Sequence, residues 1–375
     1  MKERDICIAL NQISGIGYVR FSALEKHFGG AGQIAGHRAS DYRAVPGLNA
    51  VVSDRIANAD LQNLADQEKS LADRGGVRLL TLYDEAYPGV LRELHDPPLC
   101  LYVRGRLPHF PCPSIAVVGS RRMSRYGAGM AQAITADAVS SGYLIVSGLA
   151  YGVDTIAHRT AVEAGGTTIA VLGGGLLHVH PQDNIPLAQD IIERGGALVT
   201  EFPLDCPVSR TTFPRRNRII AALSQGTLVV EAGLKSGALH TVQASIELGH
   251  EIFAVPGQVT NELAQGCHQL IRDGACLTES FDDIRHVLQE GFQPSLLQGN
   301  LFQDENTPAY IPDSFSDLDP VSADVLQYIT SQGVSLEELE NYTGADTAQL
   351  LSSLMQLEFK LLIKRGGDML YYPMR

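Results

Sequence analysis

The sequence predicts an α/β chain: a Rossmann-like parallel sheet with helices on both faces, preceded by a small helical domain and followed by a winged helix. Three observations carry this. From about residue 77 short apolar runs alternate with helical stretches, several of those runs end in glycine or small polar residues, and the segments on either side read as helical. Apolar strands alternating with helices imply a parallel sheet covered on both faces.

Residues 1–70 form the expected helical domain, of SAM-like or helix-hairpin-helix type. Ile13-Ser14-Gly15-Ile16-Gly17 and Val45-Pro46-Gly47-Leu48 are turns between helices. Such turns either hold a DNA phosphate on exposed N–H groups or are ordinary tight turns. Lacking an accompanying Lys or Arg cluster, they favour the ordinary turn. The Rossmann-like domain spans 77–290, with strands expected at Val77–Leu82, Leu99–Val103, Ser114–Val118, Tyr143–Val146, Thr168–Leu172, Ala197–Thr200, Thr227–Val230 and Glu251–Val255. Gly119-Ser120, Ser147-Gly148, Gly173-Gly174-Gly175 and Glu231-Ala232-Gly233 follow four of them, so their loops converge along one carboxyl edge of the sheet. Residues 291–317 lack any sustained period and read as a linker. In 318–375, helices at Ala323–Thr330, Leu336–Tyr342 and Thr347–Phe359, then two strand-like runs around Arg365-Gly366-Gly367-Asp368, outline a winged helix.

Basic charge is focused. Between Ser114 and Glu290 there are twelve Lys plus Arg, and seven lie in two short segments: Arg121, Arg122 and Arg125 after the strand at Ser114–Val118, and Arg210, Arg215, Arg216 and Arg218 in RTTFPRRNRIIAALS. Guanidinium forks suit phosphate, and the neighbouring Phe213 offers a face on which an unpaired base can stack.

The whole chain has 375 residues and a formal net charge of -13, which argues against coating duplex DNA through bulk charge while leaving room for a local basic groove. Six cysteines show no CxxC pair and no zinc spacing, and read as buried thiols in a reducing compartment. The charged N-terminus and the lack of a long apolar run lead us to expect a soluble, cytoplasmic protein that does not engage membranes.

Gly119-Ser120-Arg121 supplies N–H groups at a helix start plus a cation, a cradle for one phosphate. Neither a GxGxxG fingerprint nor a P-loop lysine accompanies the glycines, so no nucleotide cofactor is expected and ATP hydrolysis is unsupported. Asp154 and His158, one helical turn apart, could share a proton or a metal; the plainer reading has Asp154 capping the following helix and His158 packed beneath the loop. His178 and His180 beside Pro181 fit a packed turn better than a metal pair, and no metal site is expected. Ser236-Gly237 with Thr241 could hold a further phosphate or cap a helix.

In order, GSRRMSRYG (119–127), SGLAYGVD (147–154), FPRRNRIIAALS (213–224), VVEAGLKSGALHT (229–241) and FAVPGQV (253–259) closely resemble the DNA-processing protein A family, also called DprA or Smf. The resemblance covers essentially the whole chain. It implies a protein that binds single-stranded DNA on its Rossmann-like domain, protects incoming DNA and loads the RecA recombinase onto it in natural transformation, without catalysing a covalent reaction and with no catalytic residue. It also implies a homodimer through that domain. Carried onto this sequence, Arg121 grips phosphate, Arg210 stands where the family often has lysine, Phe213 meets a base, and Asn217 and Arg218 complete a pocket. Gly119, Ser120, Arg122, Ser147, Gly148, Arg216, Ser236 and Gly237 are the remaining expected DNA-binding positions.

Three positions depart from the family pattern. His268 stands in Gly266-Cys267-His268 where Gly-x-Asn is usual, Ala222 replaces a common glycine, and the stretch Ala345–Gln349 in the winged helix carries no Lys or Arg, favouring a protein-docking wing over a duplex reader. Two alternative functions compete with the single-strand binder. One is a Rossmann-like nucleotide-processing hydrolase, for which the glutamate that should follow the Lys235–Thr241 loop is missing. The other is a winged-helix protein binding duplex DNA.

Overall fold

A computed structural model of the chain describes residues 1–209, 211–289, 321–322, 325, 329, 334–343, 345–359, 363–365 and 370–373. Arg210, the linker at 291–317, most of the helix expected at 323–330 and the turn at 366–368 lie outside the described residues. The chain divides into two compact units, Met1–Pro294 and Ser295–Arg375.

The first unit opens with five helices: α1 (Glu3–Asn11), α2 (Tyr18–Phe28), α3 (Ala39–Arg43), α4 (Ala50–Asn58) and α5 (Leu61–Arg74). Their ends follow local chemistry. Asn49 and Asp60 accept the N–H groups of Val52 and Asn63, capping α4 and α5, and Gly29 closes α2 in the left-handed conformation. Ile6 through Leu10 of α1 are all buried, and the core they enter continues into sheet residues Leu79, Cys100, Tyr102, Ala170 and Leu198. Helices and sheet therefore share one core.

The turn between α1 and α2 is committed to protein partners. The Tyr18 N–H donates to the Asp96 carboxylate at 3.1 Å. Arg20 bridges the two glycine turns by donating to the carbonyls of Gly15 and Gly47, and Arg55 donates to Ser14 O at 2.9 Å. A carboxylate already holds the N–H that a phosphate would need, so the ordinary tight turn is the better description.

The sheet has nine strands: β1 (Arg78–Thr81), β2 (Cys100–Gly105), β3 (Ser114–Val118), β4 (Leu144–Ser147), β5 (Thr168–Val171), β6 (Ala197–Thr200), β7 (Gly226–Val229), β8 (Glu251–Ala254) and β9 (Cys276–Leu277). They lie in the order β1-β2-β6-β5-β4-β3-β7-β8-β9. From β6 to β9 all neighbours are parallel, whereas β1–β2 and β2–β6 are antiparallel. The parallel sheet expected from the sequence is thus corrected at this end, where two pairings are antiparallel. The one helix between β1 and β2 is the single turn α6 (Gly89–Arg92), too short to build a crossover.

Helices α7 (Arg125–Ser140), α8 (Val153–Glu163), α9 (Ile185–Glu193), α10 (Thr212–Ala222), α11 (Leu239–Glu247), α12 (Gln265–Arg272) and α13 (Phe281–Gln289) cover the sheet. Strand β3 shows the two-sided burial. Ile115 and Val117 pack with Ala131 and Ile134 of α7, while Ala116 and Val118 join Ile219 and Ile220 of α10. The chain winds outward from β3 through β4, β5 and β6, then returns to place β7 on the other side of β3. This reversal opens a crevice beyond the carboxyl ends of β3 and β7.

In the second unit, α14 (Leu336–Thr343) and α15 (Thr347–Phe359) precede an antiparallel pair, β10 (Ile363–Arg365) and β11 (Tyr371–Pro373). Ser335 and Glu338 form a reciprocal capping box on α14, and Asp346 accepts the Gln349 N–H on α15. Leu339, Leu350, Leu354, Leu357, Ile363 and Tyr371 build a core of their own.

Candidate nucleic-acid interface

The crevice is a cleft of about 560 Å3 whose wall includes Gly119, Ser120 and Arg121 after β3, Phe213, Arg216 and Asn217 of α10, and Ser236 and Gly237 after β7. Backbone contacts lock its first loop. A Cβ on Gly119 would lie 2.6 Å from Val153 Cγ2, and one on Gly152, at φ +80°, would lie 2.1 Å from the Ser120 carbonyl, so both positions require glycine. Ser120 N–H donates to Glu231 O at 2.6 Å, and Val153 N–H donates to Ser120 O at 3.2 Å, tying the turn after β3 to the loops after β7 and β4. The buried Glu231 carboxylate accepts from Ser124 N–H at 2.8 Å and Ser124 Oγ at 2.6 Å, and Ser124 Oγ in turn accepts the Gly127 N–H to cap α7. Held this way, the turn exposes Arg121 and Arg122, with Arg125 exposed at the first residue of α7.

The Arg121 guanidinium carbon stands 5.0 Å from the Phe213 ring centroid. Phe213 is half-buried in the first turn of α10, against Gly173, where a Cβ would approach the ring to 2.9 Å.

Arg216 plays a different part from the one its place in the basic run suggests. It is 4% exposed, and it donates to Gly148 O at 2.6 Å, to Val171 O, and through Nε to Asn217 Oδ1 at 3.0 Å. Burial lowers its pKa to about 10, and the nearby Asp154 charge works against that shift. Its guanidinium braces the loops after β4 and β5 from below. Asn217 Nδ2 reaches Gly237 O at 3.4 Å, joining α10 to the loop after β7.

Arg218 is corrected too: it turns from the cleft to Glu201, donating at 2.6 Å, and Arg215 donates to the same oxygen at 3.0 Å. Glu201 is almost fully buried; burial raises its pKa and the two arginines oppose the rise. Ser147 and Gly148 are also buried and do not line the cleft. Ser147 Oγ donates to Val117 O at 2.7 Å, and Gly148 N–H donates to Asp154 at 3.1 Å.

Beneath the cleft, Asp154 does not cap the helix after it. It accepts the N–H groups of Gly148 and Ala150 from the loop before it, at 3.1 and 3.3 Å. His158 lies under that loop as the plainer sequence reading has it. Its Nε2 accepts the Leu149 N–H at 3.3 Å, and its Nδ1 lies 2.7 Å from Thr168 Oγ1, which donates to Ile145 O at 2.8 Å. With Thr168 donating onward, Nδ1 carries the ring proton. Burial, reinforced by the Arg216 charge, pushes the His158 pKa down to about 3, so the ring is neutral. This network shapes Leu149, which has φ +56° and is the one described non-glycine residue at positive φ; Asn184 Nδ2 donates to its carbonyl at 2.9 Å.

His240 and Leu263 also line the cleft, and nothing in the spacing of the sequence singled them out. His178 Nε2 sits 2.8 Å from Asp205 Oδ1 on the surface, and among the described residues no group of three or more His, Cys, Asp and Glu is placed to hold a metal. His268 Nε2 lies 2.9 Å from Gly257 O, fastening the Ala-Val-Pro-Gly loop. Ala222 is buried within α10.

Comparison with known proteins follows the same lines. The family model described as DNA recombination-mediator protein A matches residues 78–289. Protein Smf of Escherichia coli (strain K12) is 38% identical over 282 residues, 75% of this chain and 73% of the relative. DNA processing protein DprA of Streptococcus pneumoniae is 41% identical over 205 residues, 54% and 72% of the two chains. The X-ray structure of DprA from Streptococcus pneumoniae superposes with a TM-score of 0.64 at 32% identity, covering 77% of this chain and 98% of that one. A structure concerned with the single-stranded DNA binding mode of DNA processing protein A from Helicobacter pylori superposes with a TM-score of 0.51 at 26% identity, covering 57% and 96%.

Proposed function

The chain belongs to the DNA recombination-mediator protein A family, and on that premise we propose that it binds single-stranded DNA in the cleft between β3 and β7 and hands it to the RecA recombinase during natural transformation. The observation that carries this reading is Arg121 over Phe213, a cation and an aromatic face at the mouth of a crevice at the sheet's switch point. A base stacks on the Phe213 ring while the displaced Arg121 guanidinium takes the adjoining phosphate; the N–H groups of Ser120, Arg122 and Ser124 in the same turn are spent on Glu231 and Ser120 and hold the turn instead.

The protein acts without covalent chemistry. His158 is fully buried and neutral, which keeps it from moving a proton on a bound strand, and Asp154 at the cleft wall spends its Oδ2 on two loop N–H groups, a holding role for the loop. Two copies pair through the far end of the sheet. There Ile246 on α11 and Leu277 on the edge strand β9 are 55% and 47% exposed, and pairing would link two clefts on one strand. The second unit is a winged helix that docks a protein. Among its described residues, helices α14 and α15 and the antiparallel pair β10–β11 support that reading. Among the described residues no helix is long and apolar enough to cross a membrane.

Titrating the protein with single-stranded and duplex oligonucleotides of equal length at two salt concentrations tests the reading. It expects a clear single-strand preference with salt-dependent affinity. Equal affinity for both forms would remove it.

A further inference from the structure

A second groove, of about 660 Å3, lies beside β1, at the opposite end of the sheet's first half from the cleft. It shares no lining residue with the cleft, so the two sites are distinct.

The rim of this groove is cationic. Arg78, Arg92, Arg106 and His109 line it with their side chains exposed, and Glu85 is the one acid among the lining residues. Local structure fixes part of the rim: Arg92 donates to Asp84 O at 2.6 Å and lies 5.2 Å over the Tyr87 ring, while Arg78 donates to Gly105 O at 3.3 Å. Arg106 makes no side-chain hydrogen bond or ion pair among the described residues, so its full charge faces the groove. Leu80, Pro88 and Leu107 make the floor apolar. In a chain of net charge -13, a cationic rim over an apolar floor is a local exception.

The occupant follows from what the groove offers. Its rings are poorly placed for a base: Tyr87 is buried, its hydroxyl donates to Pro98 O at 2.9 Å and Arg92 covers its ring, while Phe110, which also lines the groove, is half-buried and packs against the core. Nor can a strand add to β1. Arg4 donates to Leu79 O at 2.7 Å and Asp84 accepts the Thr81 N–H at 2.7 Å, which closes that edge. Recognition must run through side chains, with carboxylates meeting arginines around an apolar anchor. We propose that this groove docks a short acidic segment of a partner protein, with leucine or phenylalanine between its carboxylates.

The test uses the full chain and a fluorescein-labelled peptide with leucine and phenylalanine between aspartates, followed by fluorescence anisotropy. A second peptide has asparagine for aspartate, and a third has serine for the apolar residues. The groove predicts binding of the first peptide and at least about tenfold weaker binding of the other two. It also predicts a loss of about tenfold or more in an Arg78→Glu, Arg106→Glu variant whose single-stranded DNA binding is unchanged. Should that variant melt early, Arg106→Glu alone serves, since its side chain carries no internal bond. Failure of the first peptide to bind, equal binding of the asparagine peptide, indifference to charge reversal, or displacement of the peptide by excess single-stranded oligonucleotide would each overturn the proposal. A failure of DNA binding in the cleft would leave these outcomes untouched.

Discussion

The guanidinium carbon of Arg121 lies 5.0 Å from the centroid of the Phe213 ring, joining the turn after β3 to the first turn of α10. Such a pairing stabilises an exposed site by about 0.5–1 kcal/mol, little enough for a stacking base to replace it. In the free protein each residue therefore holds the other in place for a ligand that would engage both.

Arg121→Ala should weaken single-strand binding and flatten the slope of log K against log salt by about 0.7, the value for one phosphate on a single strand. Because Arg121 is exposed, thermal unfolding should hardly change. Salt-dependent titration beside a melting curve checks both, and an unchanged slope would take Arg121 out of the phosphate contact.

Arg218→Ala should do the reverse. Its guanidinium is committed to the buried Glu201 carboxylate at 2.6 Å, so its loss should cost stability on the order of 3 kcal/mol while the salt slope stays at the wild-type value. Denaturant unfolding and the same titration separate the outcomes. A flattened slope would mean that Arg218 leaves Glu201 to meet DNA.

His158 should make the fold acid-sensitive. Its pKa is 6.5 when unfolded and about 3 when folded, so between those values the unfolded chain binds the extra proton. Stability from the neutral ring is complete above pH 6.5 and falls as pH drops toward 3, at up to about 1.4 kcal/mol per pH unit. Burial lowers the His250 pKa as well, adding a contribution of the same sign. Chemical denaturation at several pH values, compared with His158→Gln, isolates the His158 share. Identical pH dependence in both proteins would contradict it.

Self-association should depend on the apolar surface beyond β8. Light scattering at micromolar concentration should give a dimer mass for the wild type and a monomer mass for Ile246→Glu, whose side chain is 55% exposed in the single chain. A monomeric wild type would dismiss the pairing.

Much of this architecture was legible in the sequence, for identifiable reasons. Each of the eight expected strands is an apolar run, and β3 shows why the signal is clean: all five of its residues are buried, so no polar alternation interrupts it. The two-residue β9 carries too little pattern to register, and the antiparallel setting of β1 and β2 depends on pairing that apolar runs do not encode. The cleft was legible in Gly119, Ser120, Arg121, Phe213, Asn217, Ser236 and Gly237, all of which line it. The fates of Arg216 and Arg218 were not. Their partners Gly148, Val171 and Glu201 stand 68, 45 and 17 positions away, and a run of arginines reads alike whether it faces water or buried carbonyls. Asp154 was misjudged because a carboxylate at a helix start can turn to the loop behind it as readily as to the N–H groups ahead.

The central claim, that a DNA base stacks on residue 213, can be read directly because the chain has no tryptophan. Phe213→Trp places a single indole at the ring position. The account predicts that its fluorescence is quenched as single-stranded oligonucleotide is added, in step with binding, and stays unchanged with a duplex of equal length. Binding of the single strand with the indole emission unaltered would contradict it.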